Sequence, residues 1–540
     1  MGFSVRPRAA TEFSVRPEGA TEFIAMTERF YITTPIYYVN DVHHIGHAYT
    51  TLACDVMARF HRLNGDEVLF LTGTDEHGQK VEKAAAAAGQ PPQTFVDGVS
   101  QNFRNLAKAM KYSNDDFIRT TEPRHIQASQ ALWKAIEASG NIYLGGYEGW
   151  YSVRDEAFYA EDELVAGPGG KKRAPTGADV EWVKEPSYFF KLSAWQDRLL
   201  EFYEKNPQAV QPESRRNEVI SFVAGGLRDL SISRTSFSWG IPVPGAPDHI
   251  MYVWLDALAN YLTEIDYPNG DKFNRFWPAD VHVVGKDILR FHAVYWPAFL
   301  MAAGLEPPRR VFAHGWWTVE GEKMSKSLGN VVDPHEMIER YGLDPFRYFL
   351  LREVPFGNDG DFSQAALIQR INSDLANDLG NLFQRSLSMI QSYFAGLLPK
   401  PAHLSDADRS LIEQATKLHQ AVGAAIGRQA LHEALGEVWR IVGDANRYVD
   451  NERPWTVRKT DPVRAGTVLY VLAETVRHIA LLLQPFMPDS ASRMLDQLAV
   501  PADARTFAYC GVRGQLVSGV QLPKPEGIFP RYVVEEKGAA

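Results

Sequence analysis

Apolar and polar positions fall into blocks whose period changes along the chain. The run RFYITTP (29–35) is β-branched and aromatic and is stopped by Pro35, which predicts a strand. Leu52, Val56, Met57 and Phe60 then recur at helical spacing until Asn64-Gly65 breaks the pattern. EVLFLTGTDEHG (67–78) is a nearly continuous apolar strand ending in a polar turn, and KVEKAAAAAG (80–89) is a strong helix former with a terminal Gly89. Strand, helix, strand, helix at this spacing predicts a βαβ unit, so residues 26–118 form the first half of a parallel-sheet domain of the α/β class.

Between residues 119 and 239 the texture changes. Aromatic residues are frequent, GPGGKKRAPTG (167–177) is glycine-rich, and no period persists, which reads as an inserted connective subdomain. Strand and helix patterns resume in HIMYVWLDALANYL (249–262), DVHVVGKDILRFH (280–292) and RVFAHGWWTVEGEKMSKSLGN (310–330), so the sheet is expected to continue over 240–320. A loop region follows at 321–370. Beyond Asp361 every long segment has helical periodicity, with Pro454 and Pro485 near expected breaks, and 371–540 is expected to form a helical bundle.

With 540 residues the chain exceeds the roughly 250–300 at which a single core stops growing, so two to four domains are expected. Apolar residues make up 45% and charged residues 23%, an ordinary soluble composition. The net charge of −10 argues against a general nucleic-acid binder while leaving room for a local RNA-binding face. Cys54 and Cys510 are far apart and neither belongs to a C-x-x-C pair, which speaks against a disulfide framework or a cysteine-rich zinc site. No apolar run reaches the ~18 residues of a membrane span; the longest candidate, 293–304, is short and contains Pro297. The first 25 residues repeat FSVRPRAATE as FSVRPEGATE and read as a leader or appended remnant outside the fold, with Met26 as a natural start.

Two stretches carry candidate chemistry. In DVHHIGHAYT (41–50), His44 and His47 flank Gly46 where a strand pattern gives way to a helix. The first N–H groups of a helix lack internal partners and carry the positive end of its dipole, which attracts phosphate. The imidazoles could add donors to the same anion, and Gly46 would let a flat nucleotide approach. In GEKMSKSLGN (321–330), Lys323, Lys326, Ser325 and Ser327 sit between Gly321 and Gly329, a flexible loop with point charges suited to a polyphosphate. Either stretch alone reads equally as a capped helix or a solvated loop.

Together, in this order and around a split α/β domain, His44-Ile45-Gly46-His47 and Lys323-Met324-Ser325-Lys326-Ser327 resemble the paired signatures of class I aminoacyl-tRNA synthetases. TTPIYYVN (33–40), YVWLDALANYL (252–262) and VGKDILRFHAVYWPA (284–298) are similar to the methionyl branch of that family, over nearly everything from Met26 onward. The resemblance implies a Rossmann-type catalytic domain split by the insert, a catalytic role for His44, His47, Lys323 and Lys326, and ATP contacts from Gly46, Asp287, Ser325 and Ser327. It also implies that Ile36, Tyr38, Trp254, Ala257, Leu258, Tyr261, Ile288, His292 and Trp296 surround a methionine side chain, with Asp75 holding its ammonium group. Aromatic edges are favourable partners for a thioether sulfur, although each of these aromatics could be ordinary core, and Asp75 could be a helix N-cap.

Many relatives carry a zinc knuckle in the insert, whereas GWYSVRDEAFY (149–159) has Ser152 and Asp155 in place of cysteines, so no zinc is expected. The helical region resembles the family's anticodon-binding bundle at NDLGNLFQRS (377–386) and NERPWTV (451–457). Asn381 and Arg385, one turn apart, would hydrogen-bond base edges while Trp455 stacks. The implied reaction is ATP-dependent joining of methionine to its initiator and elongator tRNAs, with Mg²⁺ brought by ATP and no membrane partner, in a cytoplasmic protein expected to be monomeric. A nucleotidylyltransferase using the same H-x-G-H chemistry, or an inactive RNA-binding paralogue, are the alternatives.

Overall fold

The computed structural model describes residues 28–39, 43–155, 157–324 and 329–533. The leader expected at 1–25 lies outside the described residues. The central element is a seven-stranded sheet built from β1 (Arg29–Thr33), β2 (Tyr37–Tyr38), β3 (Glu67–Asp75), β4 (Asp116–Arg119), β5 (Val210–Gln211), β6 (Val281–Gly285) and β7 (Val311–His314). Their spatial order is β5-β7-β6-β1-β3, all parallel, with β2 beside the end of β3 and β4 along its other edge. β3 is buried from Leu69 to Asp75, which is why its sequence is a continuous apolar run and not an alternating one.

Helix α1 (Ile45–Asn64) connects the β1–β2 edge to β3 and is buried along nearly its whole length. It ends at Gly65, whose φ of 97° lets its N–H reach the Arg62 and His61 carbonyls, a left-handed cap that suits glycine. At its centre Asp55 accepts from Arg347 at 2.7 Å with both side chains fully buried. The same guanidinium donates to the carbonyls of Met110, Pro485 and Phe486. A buried ion pair is tolerable only when its remaining donors are satisfied; here they are, and the pair joins the α/β domain to the helical region.

Two expectations need correction. Residues 119–239 are not one insert, because β5 joins the parallel sheet beside β7. The insert proper is an antiparallel sheet whose long hairpin pairs Ile142–Ser152 with Glu181–Phe190. The expected continuation of the sheet through 249–262 fails: Ala246–Met251 pairs antiparallel with Ser233–Arg234 and Pro242–Val243, and short helices Val253–Leu258 and Asn260–Thr263 follow. A further helix spans Pro92–Ala109, with proline in its first turn.

The helical region contains α2 (Asp406–Gly427), α3 (Leu431–Glu452) and α4 (Pro462–Leu483). By length and composition α4 is apolar enough to cross a bilayer, which corrects the expectation that no run reaches that length and that 293–304 is the longest. It is buried from Ala465 to Leu483 and forms the core against which its neighbours pack. Glu474 and Arg477 in its middle pair with each other, and Glu474 also accepts from the Leu516 N–H.

Candidate functional site

The N-terminus of α1 is built by its two histidines. The Nδ1 of His44 accepts from the Gly46 N–H at 3.1 Å, and the Nδ1 of His47 accepts from the His44 N–H at 3.1 Å. Each ring is therefore unprotonated at Nδ1 and keeps an Nε2–H donor. Burial, then the neighbouring His44 and His43 rings, holds His47 well below its ordinary pKa, so it acts as a neutral donor. Gly46 is needed for this arrangement as much as for a ligand, because a Cβ there would meet the His44 Cε1 at 2.9 Å.

Both histidines and Gly46 line a cavity of about 510 Å³ between the carboxyl ends of the parallel strands and the Val253–Thr263 helices. Its other walls are Ile36, Tyr38, Asp75, Trp254, Ala257, Leu258, Tyr261, Asp287, Ile288 and His292. Asp75 is not a helix cap: the following helix, Gln79–Ala87, is capped by Gly78. The Tyr38 hydroxyl donates to the His77 carbonyl at 3.0 Å and fixes the wall beside Asp75.

The apolar end of the cavity is held by a hydrogen-bonded series. His292 Nδ1 donates to the Ile288 carbonyl at 3.0 Å, so its Nε2 accepts from the Tyr261 hydroxyl at 2.8 Å. Burial lowers His292 to about 4, which keeps it neutral and this polarity fixed. Trp254 stacks on Phe291 with ring centroids 3.7 Å apart. Trp296 is the exception among the expected residues. It is fully buried behind Tyr261, donates to His282 Nε2 at 3.3 Å and does not face the cavity.

Polar pairs at and behind the cavity wall carry no local sequence signal. Trp316 donates its indole N–H to Asp287 Oδ1 at 3.0 Å, and Lys286 lies over its ring while pairing with Asp359. Asp256, on the same helix as Trp254, points into the core and accepts from His77 at 2.7 Å and His125 at 2.8 Å. Burial opposes its charge, but the two histidines hold it down at about 2. These pairs are 131 or more residues apart in sequence, so no local pattern could have disclosed them. Ser325, Lys326 and Ser327 lie outside the described residues; Lys323 ends the strand Glu322–Lys323, and Met324 beside it lines the cavity.

In the insert, where Ser152 and Asp155 stand in place of cysteines, Asp155 accepts from Tyr159 at 3.0 Å, from Arg154 at 3.1 Å and from Thr176, and its N–H donates to Ser152 Oγ at 3.2 Å. Burial would raise the Asp155 carboxyl, but the hydrogen bonds from Thr176, Arg154 and Tyr159 outweigh it and lower its pKa. Among the described residues no group of three His, Cys, Asp or Glu is placed to hold a metal ion.

In the helical region the structure brings Arg385 and Trp455 together: the guanidinium lies 5.4 Å from the ring centroid and also donates to Asp450 at 2.9 Å. Trp455 is 36% exposed and so is not a core residue. Asn381 is exposed one turn before Arg385, on the same helix Asn381–Phe394.

Comparison with known proteins matches residues 30–387 to the family described as tRNA synthetases class I (M). Residues 398–539 match the anticodon binding domain of methionyl tRNA ligase. A methionine–tRNA ligase of Brucella suis is 56% identical over 94% of this chain and 98% of its own length. One from Rhizobium meliloti is 55% identical over 94% of this chain and 99% of its own. The structure of a Mycobacterium tuberculosis methionyl-tRNA synthetase in complex with methionyl-adenylate superimposes with a TM-score of 0.91 at 53% identity, covering 93% of this chain and 100% of that one.

Proposed function

The chain belongs to the methionyl-tRNA synthetase family of class I, and on that premise we propose which of its side chains do the work. It ligates methionine to its tRNA at the expense of ATP through a methionyl-adenylate. A carboxylate oxygen of methionine attacks the α-phosphorus of ATP, and the bond to the bridging oxygen of pyrophosphate breaks. The terminal ribose hydroxyl of the tRNA then attacks the methionyl carbonyl carbon and expels AMP.

The observation that carries the assignment of roles is the single cavity in which the α1 terminus, Asp75 and the Trp254–His292 wall meet. His44 and His47 donate Nε2–H to the triphosphate without adding charge, their rings oriented in advance by the backbone. Lys323 and Lys326, with Ser325 and Ser327, bind the phosphates as charge moves onto pyrophosphate. Asp287, oriented by Trp316, takes the adenosine. Asp75 binds the methionine ammonium, and the side chain lies against Ile36, Trp254, Ala257, Leu258, Tyr261 and Ile288, with the sulfur near the Tyr261–His292 pair. Trp296 acts by backing Tyr261.

Mg²⁺ enters as the ATP complex, ligated by phosphate oxygens and water. The insert is braced by Asp155, Ser152, Thr176 and Tyr159 and uses no zinc; one zinc per chain in elemental analysis of purified protein would refute this. Asn381, Arg385 and Trp455 read the anticodon. The protein works as a monomer in the cytoplasm. Pyrophosphate exchange run with each of the twenty amino acids tests the reading: methionine alone should support rapid exchange, and equal rates with another amino acid would overturn it.

A further inference from the structure

The insert reaches the active site. Its turn at Val153–Asp155, more than 100 residues from the HIGH sequence, lines the same cavity as His44, His47 and Asp75 through Arg154 and Asp155. Arg154 is not loosely placed. Its Nε donates to Asp155 Oδ1 at 3.1 Å, and its Nη2 donates to the Thr176 carbonyl at 2.9 Å and the Thr176 hydroxyl at 2.8 Å. Asp155 is in turn fixed by Tyr159, Thr176 and Ser152.

A guanidinium carries five N–H donors in a rigid plane. Three are used in this bracing, and the two on Nη1 have no partner among the described residues. The side chain is about half exposed, at 55%. A planar cation held on one edge, with its other edge uncommitted at the mouth of a polyphosphate-using cavity, is oriented for an anion before the anion arrives. Asp155 tempers the charge without removing the donors, since a hydrogen-bonded carboxylate neutralises the Nε edge and leaves the Nη1 hydrogens uncommitted.

We propose that Arg154 is a phosphate-binding residue of this active site, supplied by the insert, with its Nη1 hydrogens donated to a phosphate of a substrate in the cavity. This rests on the assignment of that cavity to ATP and methionine. Two substrates bring phosphate there, the ATP triphosphate and the 3′-terminal nucleotides of the tRNA, and the two half-reactions separate them.

The test uses the full chain with Arg154→Ala and Arg154→Lys. Pyrophosphate exchange is measured with ATP and methionine varied separately, and single-turnover transfer is measured from preformed methionyl-adenylate to tRNA. Loss of a charged hydrogen bond of this kind is expected to change one of these by about ten-fold or more. A raised KM for ATP with the KM for methionine unchanged, partly restored by Lys, supports the role and assigns the phosphate to ATP. Normal exchange with slowed transfer supports it and assigns the phosphate to the tRNA end. Arg154→Ala equal to the parent in both half-reactions overturns the proposal, as does a parallel rise in both KM values with a lowered melting temperature. A parent protein that shows no methionine-dependent exchange would instead overturn the functional reading itself.

Discussion

The small-molecule cavity and the Arg385–Trp455 face solve recognition in opposite ways. At the cavity, His47 and His292 are buried and each has its tautomer fixed by neighbours, His47 by the His44 backbone and His292 by Ile288 and Tyr261, while behind the wall Asp256 is held by two histidines. On the helical face the groups are exposed and held by weak contacts, an ion pair to a 63% exposed Asp450 and a cation over a half-open ring. Phosphoryl chemistry gains from donors that need no rearrangement at the moment charge moves. Single-stranded bases must splay onto a surface, which an open aromatic platform permits and a closed pocket does not.

The sharpest break in this contrast should come from the loop lysine. Lys326→Ala is expected to slow adenylate formation by roughly 10²–10³, about 2.7–4 kcal/mol, with methionine affinity unchanged. Equal losses in methionine binding and in rate, read from exchange kinetics, would remove Lys326 from the phosphates.

On the opposite face, Trp455→Ala should lose stacking of about 1–3 kcal/mol and lower tRNA charging ten-fold or more. Exchange without tRNA should barely change. A variant that folds normally and charges tRNA as well as its parent would take Trp455 out of the RNA site.

The buried side of the comparison also predicts a pH dependence. His292 has a folded value of about 4 against an ordinary 6.5, so the unfolded chain binds the extra proton between those limits. Stability is therefore fully present above 6.5 and is lost as pH falls toward 4, by up to ~1.4 kcal/mol per unit from this group. Denaturant titrations should show a shallower loss for His292→Gln than for the parent over that window; identical slopes would show that His292 is not the source.

The smallest effect belongs to the exposed ion pair. Asp450→Asn should change stability by about 0–1 kcal/mol at most. Because it frees Arg385, it should leave charging intact or improve it slightly. A large loss of charging would mean that Asp450 positions Arg385 and does not merely neutralise it.

Much of the fold could be read from local pattern. The burial of β3 was legible because a strand covered on both faces reads as a continuous apolar run, here Val68–Leu71, and α1 because Leu52, Val56 and Phe60 keep a helical period up to Gly65. The two short motifs were legible as residue types at known spacing, whereas the wall residues were implied only by the resemblance to the methionyl branch. What was misread lay where neighbours far away in the chain decide. Val210–Gln211 is two residues long and carries no period, so only its pairing with Val311 and Phe312 makes it part of the main sheet. Ala246–Met251 is apolar only at its end, Ile250–Met251, and its antiparallel pairing with Ser233–Arg234 and Pro242–Val243 sets it apart from the main sheet.

The sequence by itself determined which chemistry was possible: histidines at a helix start, lysines in a glycine-flanked loop, a tryptophan near a helix break, and no thiolates in the insert. These depend on residue identity and short spacing, which a chain carries whether or not it is folded. Only the tertiary structure decided which groups meet. It placed Trp296 behind the wall while Trp254 lines it, gave Asp256 to His77 and His125, and brought Arg154 from the insert to the cavity. Each of those outcomes depends on contacts between segments tens to hundreds of residues apart, and their geometry exists only once the core that fixes those segments has formed.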